Sequence, residues 1–327
     1  MEFKNRYIKY VHRKFIKPLT IEEKDFISSQ SSNFFLSGIS GRTGTTWVMR
    51  LIGDLLNHLN YTSIGESGFF VFGQFRNAPV EYFQITPGTE KNKTAYLNFF
   101  YKFVSKWAYD RRKIYKGGLQ GLKIFVPKKA IKMSFENLKK ELEKKETLDE
   151  IYQCFGNFYS NILNYHSLLQ NNSLRWISKE PGYARHADDL YRLIPKSKNV
   201  VLVREGRDVA LSMKNRGWED ANLKRCILRW KTFTEMSLSA IEKVPSENIK
   251  LVKYEELVDN FQEMTLEILE FYGFKPDEII EEKLNDENYR FKPLKGNYGK
   301  WKEIYTSDEK KFFEDSCSTI MEKLNYL

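Results

Sequence analysis

Nine residues, Gly38-Ile-Ser-Gly-Arg-Thr-Gly-Thr-Thr46, set one fixed positive charge among glycines and hydroxyls. Those residue types suit the holding of an anion. Backbone N–H groups of a tight turn and a helix N-terminus converge on it, hydroxyls add donors, and Arg42 adds charge. The alternative is a Gly-rich turn that binds nothing. The spacing also excludes something. A Walker A loop, G-x-x-x-x-G-K-[ST], needs a Lys where Thr45 follows Gly44, so an ordinary ATP or GTP hydrolase is disfavoured. Two further segments have related chemistry. Arg204 ends an apolar run, and Ser212 follows eight residues later. An Arg fork with a hydroxyl suits a second phosphate, unless Arg204 and Arg207 simply pair with Glu205 and Asp208. Near the C-terminus, Lys295-Gly-Asn-Tyr-Gly-Lys-Trp-Lys302 reads as a basic flap over an anion or as a solvated basic loop.

These residues need elements to position them. Phe34–Leu36 and Asn199–Val203 read as buried strands, Arg175–Ser178 and Ile249–Val252 as further strands. Trp47, Val48, Leu51, Leu55 and Leu59 repeat at helical spacing, and a second helix starts at about Val209. Apolar residues at 151, 155, 158, 162, 165 and 169 predict an amphipathic helix, with others at Phe261–Tyr272 and Ser307–Leu324. Lys- and Glu-rich residues 128–150 predict a solvated helix or insertion. The aromatic stretch 74–120 is placed to help line a pocket. Strands alternating with helices imply a single α/β domain with a central parallel sheet flanked by helices and a P-loop-like turn. The expected division is a basic amphipathic segment, 1–30, and a domain, 31–327, with a helical insertion at about 74–170. In such sheets ligands bind beyond the carboxyl ends of the strands, where the three anion-binding segments would meet.

The chain has 327 residues and a net charge of +10, which suits an anionic ligand or surface. No nucleic-acid recognition motif accompanies the charge, and nucleic acid is not an expected partner. The four His (His12, His58, His166, His186) show no pair at ligand spacing, so no metal is expected. Three scattered cysteines argue for a reducing compartment, and the absence of a signal-like or membrane-spanning apolar run argues for the cytoplasm. Within residues 1–18, Phe3, Tyr7, Val11 and Phe15 fall at i, i+4 among Lys and Arg. That pattern fits a helix packed on the domain or one lying on anionic lipid, a peripheral membrane contact.

Together the three segments resemble the nucleotide-binding elements of the sulfotransferase superfamily, which uses 3′-phosphoadenosine 5′-phosphosulfate (PAPS). The family's 5′-phosphosulfate loop, T-Y-P-K-S-G-T-T-W or P-R-S-G-T-T, is similar to Ile39-Ser-Gly-Arg-Thr-Gly-Thr-Thr-Trp47. Its strand–Arg–x7–Ser element resembles Arg204 to Ser212, and its R-K-G-x-x-G-x-W-K loop resembles Lys295 to Lys302. Lys253-Tyr-Glu-Glu-Leu257 resembles Y-E-[DE]-L, and Lys179-Glu-Pro181 resembles the K-x-P of carbohydrate and tyrosyl members. All five stand in the family's order. Gly41 replaces the usual Pro, and Leu294 replaces the Arg before the late Lys-Gly.

The resemblance implies in-line transfer of a sulfuryl group from PAPS to an acceptor hydroxyl or amine; tyrosyl peptide and small alcohol stay open as acceptors, while the K-x-P segment and the candidate Glu favour a glycan or glycolipid hydroxyl. It implies that Arg42 offsets charge on the leaving phosphate and that Gly41, Thr43, Gly44, Thr45 and Thr46 cradle it. Trp47 would stack on adenine, or else belong to the core, and Tyr254 would line the same pocket. Arg204, Ser212, Lys295 and Gly296 would hold the 3′-phosphate. Members without a catalytic His use a Glu in a G-E segment, which places the general base at Glu66, with His186 as the alternative; His58, in a helical run, reads as structural. Lys179 or Lys123 would contact the transferring sulfate. The rival readings are a nucleotide-dependent kinase, which needs a magnesium site, and a non-catalytic nucleotide-binding or membrane-peripheral module.

Overall fold

The computed structural model describes residues 34–66, 70, 73–85, 90–105, 126, 128–293, 296 and 298–327. The expected segment 1–30, Lys123 and Lys295 lie outside them. Five strands, β1 (Phe34–Gly38), β2 (Thr62–Ile64), β3 (Trp176–Lys179), β4 (Lys198–Val203) and β5 (Ile249–Lys253), form one all-parallel sheet in the order β2-β3-β1-β4-β5. The longer helices are α1 (Thr45–Leu55), α2 (Glu90–Ser105), α3 (Lys128–Leu142), α4 (Leu148–Asn171), α5 (Gly206–Lys214), α6 (Leu223–Ile241), α7 (Phe261–Tyr272) and α8 (Ser307–Lys323).

The central strands are apolar throughout because both faces are covered. Along β1, Phe34 and Leu36 join a core with α1 and α7, whereas Phe35 joins one with α2, α3 and α4. Along β4, Val200 and Leu202 face the α1 side, and Val201 and Val203 face α5, α6 and α8. All strands are parallel, so their C-terminal ends share one edge. Leu36 aligns with Lys179 and Gly38 with Leu202. The chain leaves β1 toward β2 on one side of the sheet, while β4 and β5 lie on the other. The resulting crevice at the C-terminal edge is where ligands of open α/β sheets bind.

Helix α3 departs from the solvated helix expected of its Lys-rich composition. Ile131, Phe135, Leu138 and Leu142 make a buried stripe at helical spacing, while the lysines cover the other face. Helix α5 begins three residues before Val209, because the Glu205 side chain accepts the Arg207 N–H and caps it. Helix α4 opens with a capping box between Thr147 and Glu150.

Candidate active site

The turn between β1 and α1 is held in an unusual backbone. Arg42 has φ 72° and Gly44 φ 95°, both in the left-handed region. Such conformations in non-Gly residues recur at ligand sites, where surrounding structure over-determines them. Gly44 is required twice: a Cβ there would be strained and would stand 2.8 Å from Cδ2 of Tyr254. No side chain caps the N-terminus of α1. Its N–H groups and the positive end of its dipole therefore point into the crevice at Thr45 and Thr46. Thr43 is fully buried, its hydroxyl 3.5 Å from the Ser40 carbonyl. It tightens the turn from inside, leaving the exposed Thr46 to present its hydroxyl.

Two residues from the β2–β3 side reach the same place. Lys179, the last residue of β3, is 3% exposed. Its ammonium donates to Glu66 Oε1 at 2.5 Å and to Thr46 Oγ1 at 3.3 Å. Glu66 follows β2 by two residues and stays half exposed. A carboxylate, an ammonium and a helix N-terminus thus converge from three consecutive strands. His186, the alternative base, does not line this cavity. Its ring contacts Arg76, with 2.5 Å from Nε2 to the guanidinium. Burial first, then the charges of Arg76 and Arg185, lower its pKa to about 4. His58 is structural, 2.6 Å from Asp277.

On the β4 side, Arg42 Nε donates to Ser212 Oγ at 3.1 Å, and Arg204 donates to the Arg42 carbonyl at 3.4 Å. The two sequence segments therefore touch. Arg207 pairs bidentately with Glu205, at 2.8 and 2.9 Å, and stacks on Trp301. Arg204 instead stands 4.5 Å over the Tyr254 ring. Burial, then the charges of Arg216 and Arg204, lowers the Arg42 pKa; Glu66 opposes this. Tyr254 is 6% exposed and supports Gly44 and Arg204 from beneath rather than lining the cavity. Trp47 has both of its expected surroundings. Its ring packs with Phe261 and Tyr254, its Nε1 donates to the Phe291 carbonyl at 2.9 Å, and it lines the cavity.

The late loop is tied to α5. The Asp208 carboxylate accepts the N–H of Gly299 at 2.5 Å and of Trp301 at 3.2 Å. Gly296 and Gly299 both adopt positive φ, 76° and 78°.

These elements enclose a cavity of about 730 Å³. Six arginines line it (Arg42, Arg50, Arg185, Arg204, Arg229, Arg290) against two carboxylates, Glu66 and Glu180. That surplus of cation calls for an anionic occupant. Arg185, Arg229 and Arg216 were not singled out from sequence. Each comes from a different segment, and only folding brings it near Arg42 or the cavity. Among the described residues, no group of three or more His, Cys, Asp or Glu could hold a metal ion, and no helix is long and apolar enough to cross a membrane.

Fold and site together define an α/β protein with a P-loop-like anion turn that lacks the Walker lysine. Residues 35–278 match a family model described as "Sulfotransferase family", and the chain belongs to that family. It is similar to protein-tyrosine sulfotransferase A of Caenorhabditis elegans, 24% identical over 139 residues, 41% of this chain. The match spans 36% of that curated relative's length. Among solved structures it resembles the sulfotransferase domain of the Synechococcus PCC 7002 olefin synthase (18% identity, 87% of this chain and 93% of that one, TM-score 0.46). It also resembles retinol dehydratase in a complex with retinol and PAP (17% identity, 88% and 81%, TM-score 0.40).

Proposed function

We propose that this protein transfers a sulfuryl group from PAPS to an acceptor hydroxyl. The observation that carries the reading is the meeting of Lys179, Glu66 and Thr46 at the uncapped N-terminus of α1. PAPS supplies an activated sulfuryl group on a phosphate leaving group. The residues present fit such a donor: a cationic cavity, a free helix N-terminus and an Arg–Ser pair. The N–H groups of Thr45 and Thr46, with the Thr46 hydroxyl, hold the 5′-phosphate. Lys179 and Arg42 offset negative charge as it shifts onto the leaving phosphate. Glu66 takes the acceptor proton at its carboxylate, on the solvent-facing side of Lys179. Arg204 and Ser212 hold the 3′-phosphate, assisted by Arg216 beside Arg42 and by the loop at Lys295 and Gly296. Trp47 and Phe291 bound the adenine end. Lys179 is favoured over Lys123 as the sulfate contact because it lies within hydrogen-bond reach of Thr46.

For the acceptor, Lys179-Glu-Pro181 points to a glycan or glycolipid hydroxyl. The printed name of the nematode relative points instead to a tyrosyl hydroxyl. Residues 1–18 supply a contact with anionic lipid, on a protein of the cytoplasm. Calorimetric titration with adenosine 3′,5′-bisphosphate, without metal, tests the donor against magnesium ATP. Tight bisphosphate binding with little ATP response is expected, followed by radiolabel transfer from PAPS onto glycan and tyrosyl-peptide panels. Preference for magnesium ATP overturns the reading.

A further inference from the structure

Two cavity arginines are not among the residues proposed to hold the donor's phosphates. Arg185 belongs to the 3₁₀ turn Pro181–His186 that follows Lys179, and Arg229 belongs to α6. Both guanidinium groups stand against one ring. Their Cζ atoms lie 4.1 Å (Arg185) and 4.8 Å (Arg229) from the centroid of Phe233. Trp218 adds a second wall, 5.2 Å from Arg229 Cζ, and itself rests against Gly41 of the phosphate turn. All four residues line the cavity that holds Arg42 and Glu66.

The pair is electrostatically incomplete. Arg229 is bridged by Glu219. Among the described residues Arg185 has no hydrogen bond and no carboxylate at ion-pair distance; its recorded contact is the Phe233 ring. Burial, followed by the charge of Arg229, lowers the Arg185 pKa, and Glu180 only partly opposes this. A guanidinium largely withdrawn from water, with a second guanidinium on the same ring and near enough to disfavour its charge, is costly unless an anion offsets them. Aromatic stacking holds the two planar forks in place, so they are preorganised for bidentate contact with oxyanions.

We infer that Arg185 and Arg229 form a subsite for an anionic group (carboxylate, phosphate ester or sulfate ester) that the acceptor carries beside its reacting hydroxyl. This rests on the sulfotransferase reading and deepens it: the acceptor is itself an anion, oriented by its charge so that the hydroxyl faces Glu66.

The test uses inorganic sulfate as probe. Protein saturated with adenosine 3′,5′-bisphosphate is titrated with sulfate by calorimetry. Wild type is expected to bind it, and Arg185→Gln/Arg229→Gln to bind it at least tenfold more weakly, with bisphosphate affinity changed less than threefold. Arg185→Gln alone serves if the double variant unfolds, because it leaves the Arg229–Glu219 bridge intact. Lys179→Met is expected to leave the sulfate site in place. Loss of sulfate in Lys179→Met, or no sulfate binding by wild type, overturns the inference. In the transfer assay sulfate should compete with acceptor; competition with PAPS instead also overturns it. Absence of bisphosphate binding marks failure of the sulfotransferase reading alone, since sulfate titrated into the free protein still reports on Arg185.

Discussion

The pair of Glu66 and Lys179 is unequal, and that inequality has a measurable consequence. The Lys179 side chain is 4% exposed and that of Glu66 45%. Glu66→Gln strands a buried ammonium, whose remaining described partner is the Thr46 hydroxyl at 3.3 Å. Lys179→Met takes one partner from a carboxylate that water already reaches. Removing one partner of a fully buried pair costs about 3–5 kcal/mol. With one partner half wet, the expected cost of Glu66→Gln is about 2 kcal/mol. For Lys179→Met it falls below about 1 kcal/mol, the range of exposed pairs. The double variant should resemble Lys179→Met, since removing the ammonium removes the need for its counterion. Urea unfolding of the four proteins without nucleotide, at constant m, measures this. Transfer rates fall in both single variants, by about 10²–10⁴-fold for loss of a base. Activity alone therefore does not separate base from counterion; the stability cycle isolates the counterion part. If Lys179→Met costs as much as Glu66→Gln, the burial argument is wrong.

Arg204→Ala should weaken adenosine 3′,5′-bisphosphate by about 1.5–3 kcal/mol, the range for a hydrogen bond to a charged group, and leave adenosine 5′-monophosphate nearly unaffected. Equal weakening in calorimetry would move Arg204 away from the 3′-phosphate. Gly44→Ala, at φ 95° and 2.8 Å from the Tyr254 ring, should cost about 1–2 kcal/mol for the backbone and about 1–3 for overpacking. In Gly44→Ala/Tyr254→Ala only the packing share should return, and a denaturation midpoint unchanged by Gly44→Ala refutes the turn geometry. His186 titrates near 4 when folded, against an ordinary 6.5, so the unfolded chain binds the extra proton between those values. Stability from this group is present above about pH 6.5 and is lost as pH falls toward 4. His186→Gln should flatten that part of the stability–pH curve, and an unaltered slope counts against it.

The central strands were legible within a residue or two because burial on both faces leaves an apolar run such as Asn199–Val203. The edge strand β2 was not, since Thr62-Ser-Ile64 carries no signal until it pairs with Trp176–Ser178. Helix α3 hid its buried stripe behind a lysine-rich composition. The Gly- and Thr-rich turn stands out because its candidate donors are consecutive in sequence. Arg185, Arg216 and Arg229 do not, because solitary arginines are common and only their convergence is informative. Pro181 marks Lys179 in the sequence, whereas the contact of Lys179 with Glu66 depends on strand order, which the local pattern does not encode.

The Trp47 end of the cavity and the late loop are held by bonds between distant parts of the chain. The Trp47 indole meets the Phe291 carbonyl across 244 residues, and Asp208 meets Gly299 across 91. A nascent chain that has reached the end of β5 can therefore assemble all five strands while its donor site still lacks a wall. Closure waits for residues 291–299 to leave the ribosome, and contacts this remote form late because loop closure must precede them. On the proposed function, nucleotide binds the finished arrangement and so acts on this docking step by mass action. Cells rich in the donor would hold more of the newly made chain in its closed form than cells depleted of it.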